Sequence, residues 1–277
     1  MSESAIAQPK DSATIMLLRD KTVAPGIEVF MLRRHARADF GGAFVFPGGL
    51  AAVADFASEL EPYCCGLTDT DASTQLGVES GGLALWVAAI RECFEESGYL
   101  LARDFNGDYC QPSAPAAAER FSDYRLALSD GALTMVDVCE AEQLSLLCGA
   151  IEYVSFWTTP EIAKRRYATR FFVAAVPEGQ TGVADGRETV TSRWVDPSDA
   201  ISAERIAEMN LHPPTIAQLQ WLSQFESVAA TMDVAAAMDK STIKEILPRV
   251  LDDGRRVVID TSDGEASAFP MPRGERP

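Results

Sequence analysis

"IRECFEESGY", residues 90–99, sets Glu92, Glu95 and Glu96 directly after Arg91. In a helix, residues three and four apart are neighbours on one face, so Glu92 has like charges at both i+3 and i+4. Each such pair destabilises an isolated helix by about 0.2–0.5 kcal/mol. The surrounding pattern predicts a helix all the same. In "LALWVAAIRECFEES" (83–97), Leu83, Trp86, Ile90 and Cys93 or Phe94 recur at three- and four-residue steps, an apolar stripe that faces a core. Ser80 is placed to cap its start, and Gly98 falls where a C-terminal cap is expected. The glutamates occupy the adjoining polar face. Taken alone, such a cluster is more often a solvated face than a site, so its meaning depends on what the rest of the chain supplies.

The chain as a whole is acidic. It has 277 residues, with Lys plus Arg 24 against Asp plus Glu 41 and a formal charge of −17. That balance repels nucleic-acid backbones and anionic membranes. Binding a phosphorylated small molecule then requires a metal cation or a local arginine cluster to reverse the field. At 47% hydrophobic residues there is material for one large or two small domains. The six cysteines lack C-x-x-C spacing, which reads as reduced thiols rather than a zinc site or a disulfide framework. "MSESAIAQPKDSA" has no basic patch followed by an apolar run, and no stretch approaches the ~20 apolar residues that span a bilayer. A cytoplasmic protein is the expectation.

Short β-prone runs stand at "ATIMLLRD" (13–20) and "IEVFMLRR" (27–34), and a third, "GGAFVFPGGL" (41–50), ends in a Pro-Gly-Gly turn. Residues 51–82 read as an insertion carrying a short helix. Helices are predicted over 114–131, over "LTMVDVCEAEQLSLL" and over "PPTIAQLQWLSQF" (213–225), the last with Pro in its first turn. Strands are predicted at 151–158, 168–177 and 189–196. Beyond about 228 the pattern suggests a helix near 240–249 and a strand at "RRVVID" (255–260). Strands mixed with helices argue for an α/β sandwich.

The segment "REcfEEsGy" (91–99), with "FPGG" (46–49) upstream, resembles the Nudix box, in which a glycine, five residues, a glutamate and seven residues lead to R-E-U-x-E-E-x-G-U. In an uninterrupted box the glycine stands fourteen positions before the arginine; here Gly49 and Arg91 are 42 apart. This interruption resembles the nucleoside diphosphate-linked moiety X motif 19 subgroup, which splits its box in this way. The likeness continues in "FWTTPEIAKRRYATRFFVAAVPEGQ" (156–180), "ETVTSRWVDPSDA" (188–200) and "LHPPTIAQL" (211–219). It implies a Nudix α/β/α sandwich with a mixed sheet over residues 12–227, an insertion at about 51–82, and a C-terminal extension over 228–277. One departure stands out. The first glutamate of the uninterrupted pattern, eight positions before Arg91, is Leu83, so Arg91 must pair elsewhere, with Glu79 one option.

The resemblance implies metal-dependent hydrolysis of a diphosphate in a nucleoside-diphosphate-linked substrate. The subgroup points to coenzyme A or acyl-coenzyme A, with ADP-ribose, dinucleotides or nucleotide sugars as the alternative, and a non-catalytic nucleotide sensor as the rival from another class. Mg²⁺ or Mn²⁺ would be held by Glu92, Glu95 and Glu96 and by the Gly49 carbonyl, since hard cations take carboxylate and carbonyl oxygens. Glu95, Glu96 or Glu188 would act as general base, with Glu178 behind them. Arg91 would orient a carboxylate. Arg34, Arg166 and Arg170 would contact phosphate, because a guanidinium fork matches phosphate oxygens. A nucleotide-type small molecule is the expected partner, with a homodimer as many relatives form, and no nucleic acid or membrane. His35 and His212 carry no partner signal. The four tryptophans and Cys93 lie in apolar segments and read as core.

Overall fold

The computed structural model describes residues 6–36, 41–250, 256–260 and 266–270. In chain order the first elements are β1 (Lys10–Asp20), β2 (Ile27–Arg34), β3 (Phe44–Val45) and β4 (Gly48–Leu50), followed by 3-10 turns at Val53–Phe56 and Ser58–Tyr63. Helices α1 (Asp69–Leu76) and α2 (Leu83–Ser97), the short strand β5 (Ala102–Arg103), and helices α3 (Ala118–Ser129) and α4 (Met135–Glu142) come next. Then follow β6 (Ser145–Leu146), β7 (Glu152–Thr158), β8 (Tyr167–Ala175) and β9 (Thr189–Val195). Helices α5 (Pro197–Ala200), α6 (Ala203–Glu208), α7 (Pro213–Leu222) and α8 (Val228–Ala237) lead to β10 (Glu245–Ile246), and β11 (Arg249–Val250), β12 (Arg256–Asp260) and β13 (Ala266–Pro270) form a separate antiparallel sheet.

The main sheet is mixed, in the order β10-β7-β8-β1-β2-β3, with β4 on β1 and β9 on β2. Along one edge β1 runs parallel to β8 from Lys10 to Leu18. Its other edge is shared. Residues Leu18–Asp20 pair antiparallel with β2, whereas Ser12–Thr14 pair with β4. In β2, residues beyond Val29 leave β1, and Leu32 and Arg33 pair with β3. The two central strands thus join at one end and diverge, and residues 44–50 cross the opening from β2 to β1. Pro47 sits at the crossing, where a residue without an N–H is tolerated, and its carbonyl accepts the Ile15 amide at 2.9 Å.

Both faces of this sheet are covered, which is why its strands read as continuous apolar runs. Ala13, Ile15 and Leu17 of β1, with Phe30 and Leu32 of β2 and Phe172 of β8, pack against α2, α3 and α4. The alternate residues Met16, Leu18, Val29, Met31, Phe171 and Val173 pack against α5, α7 and α8. The α/β/α sandwich with a mixed sheet expected from the sequence is the architecture found. Two local expectations are corrected. The helix anticipated near 240–249 lies earlier, as α8, and residues 245–246 instead extend the sheet parallel to β7; Pro248 ends any helical pattern there. The helix anticipated over 133–147 stops at Glu142, where Gln143 turns left-handed at φ 52° and β6 follows.

The start of α2 is also capped differently from the expectation. Gly82, not Ser80, is its N-cap residue and has no side chain to offer. The acceptors come from α1: Asp69 takes the Gly81 and Leu83 amides, both at 3.0 Å, and Ser73 Oγ takes the Gly82 amide at 2.9 Å. A carboxylate at a helix N-terminus satisfies orphan donors and opposes the helix dipole. Replacing Asp69→Ala is expected to lower stability by about 1–2 kcal/mol, measured by urea denaturation, whereas Ser80→Ala should leave the midpoint unchanged.

Candidate functional site

The strip that bridges β1 and β2 meets α2 at Gly48 and Gly49. The Gly48 amide donates to Glu96 Oε2 at 3.0 Å. A Cβ on Gly49 would lie 2.5 Å from the Glu92 carboxyl, so glycine lets the backbone approach this closely without displacing that side chain. Gly48 is tight on its other side, where a Cβ would strike the Ala13 carbonyl oxygen and the Thr14 backbone. The Pro-Gly-Gly turn therefore sets a backbone strand against two glutamates one helical turn apart.

Arg91, only 9% exposed, organises these side chains from below. Its Nε and Nη2 grip Asp55 through both carboxylate oxygens, with bonds of 2.9 Å. Nη1 donates to Glu92 Oε1 at 2.8 Å and Glu95 Oε1 at 2.9 Å, and Nη2 also reaches the Leu50 carbonyl at 2.8 Å. Asp55, 3% exposed, comes from the first 3-10 turn of the insertion. Glu79, the partner considered from the sequence, is exposed. Asp55 was beyond sequence reasoning because it lies in a stretch without periodicity or motif spacing. It fills the pairing role that Leu83, a core residue here, leaves vacant in the helix.

Arg34 and Glu188 complete the mouth. Arg34 Nη1 stands 3.8 Å from Glu96 Oε1 and Nη2 stands 3.7 Å from Glu188 Oε2. Both separations exceed hydrogen-bond length, and the buried Arg34 Nε has no hydrogen-bond partner among the described residues. Asp185 shapes the turn that presents Glu188, accepting the Glu188 amide at 3.0 Å and the Thr189 amide at 2.9 Å.

Five carboxylates (Asp55, Glu92, Glu95, Glu96 and Glu188) thus face two guanidiniums, Arg91 and Arg34. Burial pushes the Glu92 carboxyl up to about 7, helped by Glu95 and Asp55 and opposed by Arg91. Burial likewise raises Glu95, against the pull of Arg91. Glu96, 4% exposed, is driven well above the usual range by burial and then by Glu92, with the Gly48 amide opposing. The shared cause is desolvation on burial, which the nearby arginines offset only in part.

As the side chains stand, no three His, Cys, Asp or Glu groups among the described residues are arranged around a metal position. Glu92 and Glu95 instead close on Arg91 and Glu96 closes on Gly48. The donor set nevertheless fits a hard divalent cation: the oxygens are carboxylates, they share one helix face, and the acids of the cluster outnumber its two guanidiniums. The Gly49 carbonyl accepts Ser12 Oγ at 2.7 Å and so is turned towards β1. Arg166 and Arg170 hold other partners. Arg166 donates to the carbonyls of Thr159 and Ala7, and Arg170 donates to Asp11 at 2.6 Å while covering the Phe156 ring at 4.0 Å. Glu178 is exposed, its carbonyl bonded to Gln111.

Comparison with known proteins agrees with this geometry. A family profile described as the NUDT19 Nudix domain matches residues 9–222. The chain is 28% identical over 232 residues to acyl-coenzyme A diphosphatase NUDT19 of Xenopus laevis, covering 73% of this chain and 61% of that protein. It is 29% identical over 235 residues to the protein of the same name from Gallus gallus, covering 73% and 62%. The chain thus spans about three-fifths of the length of these curated relatives. Among solved structures, a NUDIX hydrolase from Alicyclobacillus acidocaldarius superposes with a TM-score of 0.65 at 26% identity, covering 83% of this chain and 97% of that one.

Two stability experiments test the geometry. Asp55→Ala removes the two-oxygen partner of Arg91 and leaves its buried Nε without an acceptor, and is expected to cost about 3 kcal/mol in chemical denaturation. Gly48→Ala meets backbone and should cost about 2 kcal/mol, whereas Gly49→Ala meets only the end of the Glu92 side chain, which can swing aside, and should cost under about 1 kcal/mol.

Proposed function

The chain belongs to the NUDT19 Nudix domain family, and from that premise we propose that it hydrolyses the diphosphate of coenzyme A and acyl-coenzyme A. Water adds across one P–O–P linkage, giving adenosine 3′,5′-bisphosphate and (acyl-)phosphopantetheine. The observation that carries the reading is the carboxylate cluster under the Pro-Gly-Gly turn, its acids outnumbering its guanidiniums, on the helix face where the family motif lies.

In this reading Glu92, Glu95 and Glu96 hold Mg²⁺ or Mn²⁺. The bound ion neutralises charge on the diphosphate oxygens, the main requirement of phosphoryl chemistry. Arg91, locked by Asp55, keeps Glu92 and Glu95 on the working face of the helix. Arg34, whose Nε has no hydrogen-bond partner among the described residues and whose two carboxylate contacts are too long for hydrogen bonds, is held ready for phosphate oxygens. Glu188 keeps 59% of its side chain exposed beside Arg34. It is the carboxylate best placed to accept a proton from the attacking water, which a general base must reach directly or through one water. Arg166 and Arg170 have no part in this scheme.

The test is a substrate panel of coenzyme A, acyl-coenzyme A esters, ADP-ribose, NADH and a nucleotide sugar, assayed with Mg²⁺ or Mn²⁺ and with chelator. Cleavage of the coenzyme A species, abolished by chelator, is expected. Intact coenzyme A species beside a cleaved ADP-ribose would overturn the substrate assignment. Glu96→Gln should lower kcat at least ~100-fold while leaving the metal-free melting temperature unchanged or higher, since it removes a buried charge from a repulsive cluster.

A further inference from the structure

The carbonyls of the last turn of α2 run out of helical donors; the C-cap glycine closes the first of them, and the other three are met from other segments. Gly98, left-handed at φ 78°, donates to Phe94 O at 2.9 Å. Arg125, from α3, donates to Glu95 O through Nε at 3.2 Å and Nη2 at 3.0 Å. The loop before β9 supplies the other two donors: the Asp185 amide reaches Glu96 O at 3.1 Å and the Val183 amide reaches Ser97 O at 2.7 Å. Arg125 Nη2 also reaches back to Val183 O at 3.2 Å, so one guanidinium bonds both the helix end and the loop. A Cβ on Gly98 would stand 3.1 Å from Arg125 Nη1, so the motif's glycine also leaves room for this arginine.

The connection runs on to the reactive groups. Asp185, fixed by its amide to Glu96 O, uses its carboxylate to shape the turn carrying Glu188. The Glu188 carbonyl in turn accepts the amide of His35, the residue after Arg34. A cation at a helix C-terminus is favourable in its own right, but a lysine or a water could supply that. A planar fork that satisfies two carbonyls on different segments fixes a separation. The separation here is between the turn bearing Glu95 and Glu96 and the loop bearing Glu188.

We propose that Arg125 is a positioning residue that holds the Glu188 loop against the carboxylate end of α2, and so sets the distance between the proton acceptor and the bound diphosphate. The proposal rests on the diphosphatase reading above. Arg125 hydrogen-bonds no side-chain carboxylate of the cluster; it acts through the carbonyls of Glu95 and Val183.

The experiment compares Arg125→Met, Arg125→Lys, Glu188→Gln and the Arg125→Met/Glu188→Gln double variant in the full chain, with melting temperature as a check on folding. In Arg125→Met the Val183 and Asp185 amides should lose at least tenfold in hydrogen-exchange protection, while Leu17 and Val173 in the sheet keep theirs. Its kcat should fall at least tenfold with KM within threefold, and Arg125→Lys should recover part of the loss. If Arg125 acts through Glu188, the double variant is no slower than the slower single variant, within threefold. Multiplying effects, unchanged protection, or an unchanged kcat in either single variant would overturn the proposal. Should Arg125→Met fail to fold, Arg125→Lys carries the same comparisons. A wild-type protein inert towards every diphosphate offered would defeat the preceding reading instead, and exchange alone would then decide whether Arg125 holds the loop.

Discussion

A guanidinium taken out of water has five N–H donors to satisfy and a charge to balance. Arg91 meets both demands with Asp55, Glu92, Glu95 and the Leu50 carbonyl. The four partners come from three parts of the local structure: a turn in the insertion, the helix itself, and the strip that closes the split between β1 and β2. The rotamers of two glutamates, the approach of the Gly48–Gly49 backbone and the docking of the insertion are therefore one coupled arrangement. Removing any partner leaves a buried N–H of Arg91 without its acceptor.

That arrangement is deliberately under-compensated. A protein built only for stability would not keep Glu96 almost fully buried with a single backbone amide and a distant arginine for support. Strain of this kind, stored in a rigid frame, is characteristic of binding sites, where a ligand supplies what the fold withholds. The frame here is rigid on both sides. Arg91 anchors the helix face from within, and Arg125 with the Val183–Asp185 backbone anchors its end.

The sequence exposed some of this and concealed the rest, for physical reasons. The central strands and α2 were legible because burial on one or two faces imposes a local period. The three glutamates were legible because a helix converts a fixed spacing into a shared face. Asp55 was not, since nothing within its own segment distinguishes it from other acids of the insertion; its role exists only across a contact with a residue 36 positions away. Ser80 looked like a cap by spacing, yet the acceptor came from a neighbouring helix, which no offset rule encodes. Arg166 and Arg170 of "KRRYATR" read as phosphate contacts on sequence, but the fold gives Arg166 to the carbonyls of Thr159 and Ala7 and Arg170 to Asp11 instead. The C-terminal helix was misplaced because "VAATMDVAAA" is apolar nearly all round and has little periodicity to read.

The match to the family ends at Leu222, but the sandwich does not. Thr231 and Ala235 of α8 are fully buried against one face of the sheet, Lys240 pairs with Glu152 at 3.0 Å, and β10 lies along the outer side of β7. A fragment cut at the profile boundary would uncover the β7 edge at Phe156 and Trp157 beside a bare apolar surface, conditions that favour edge-to-edge association. The unit that the family profile outlines is thus smaller than the sandwich itself.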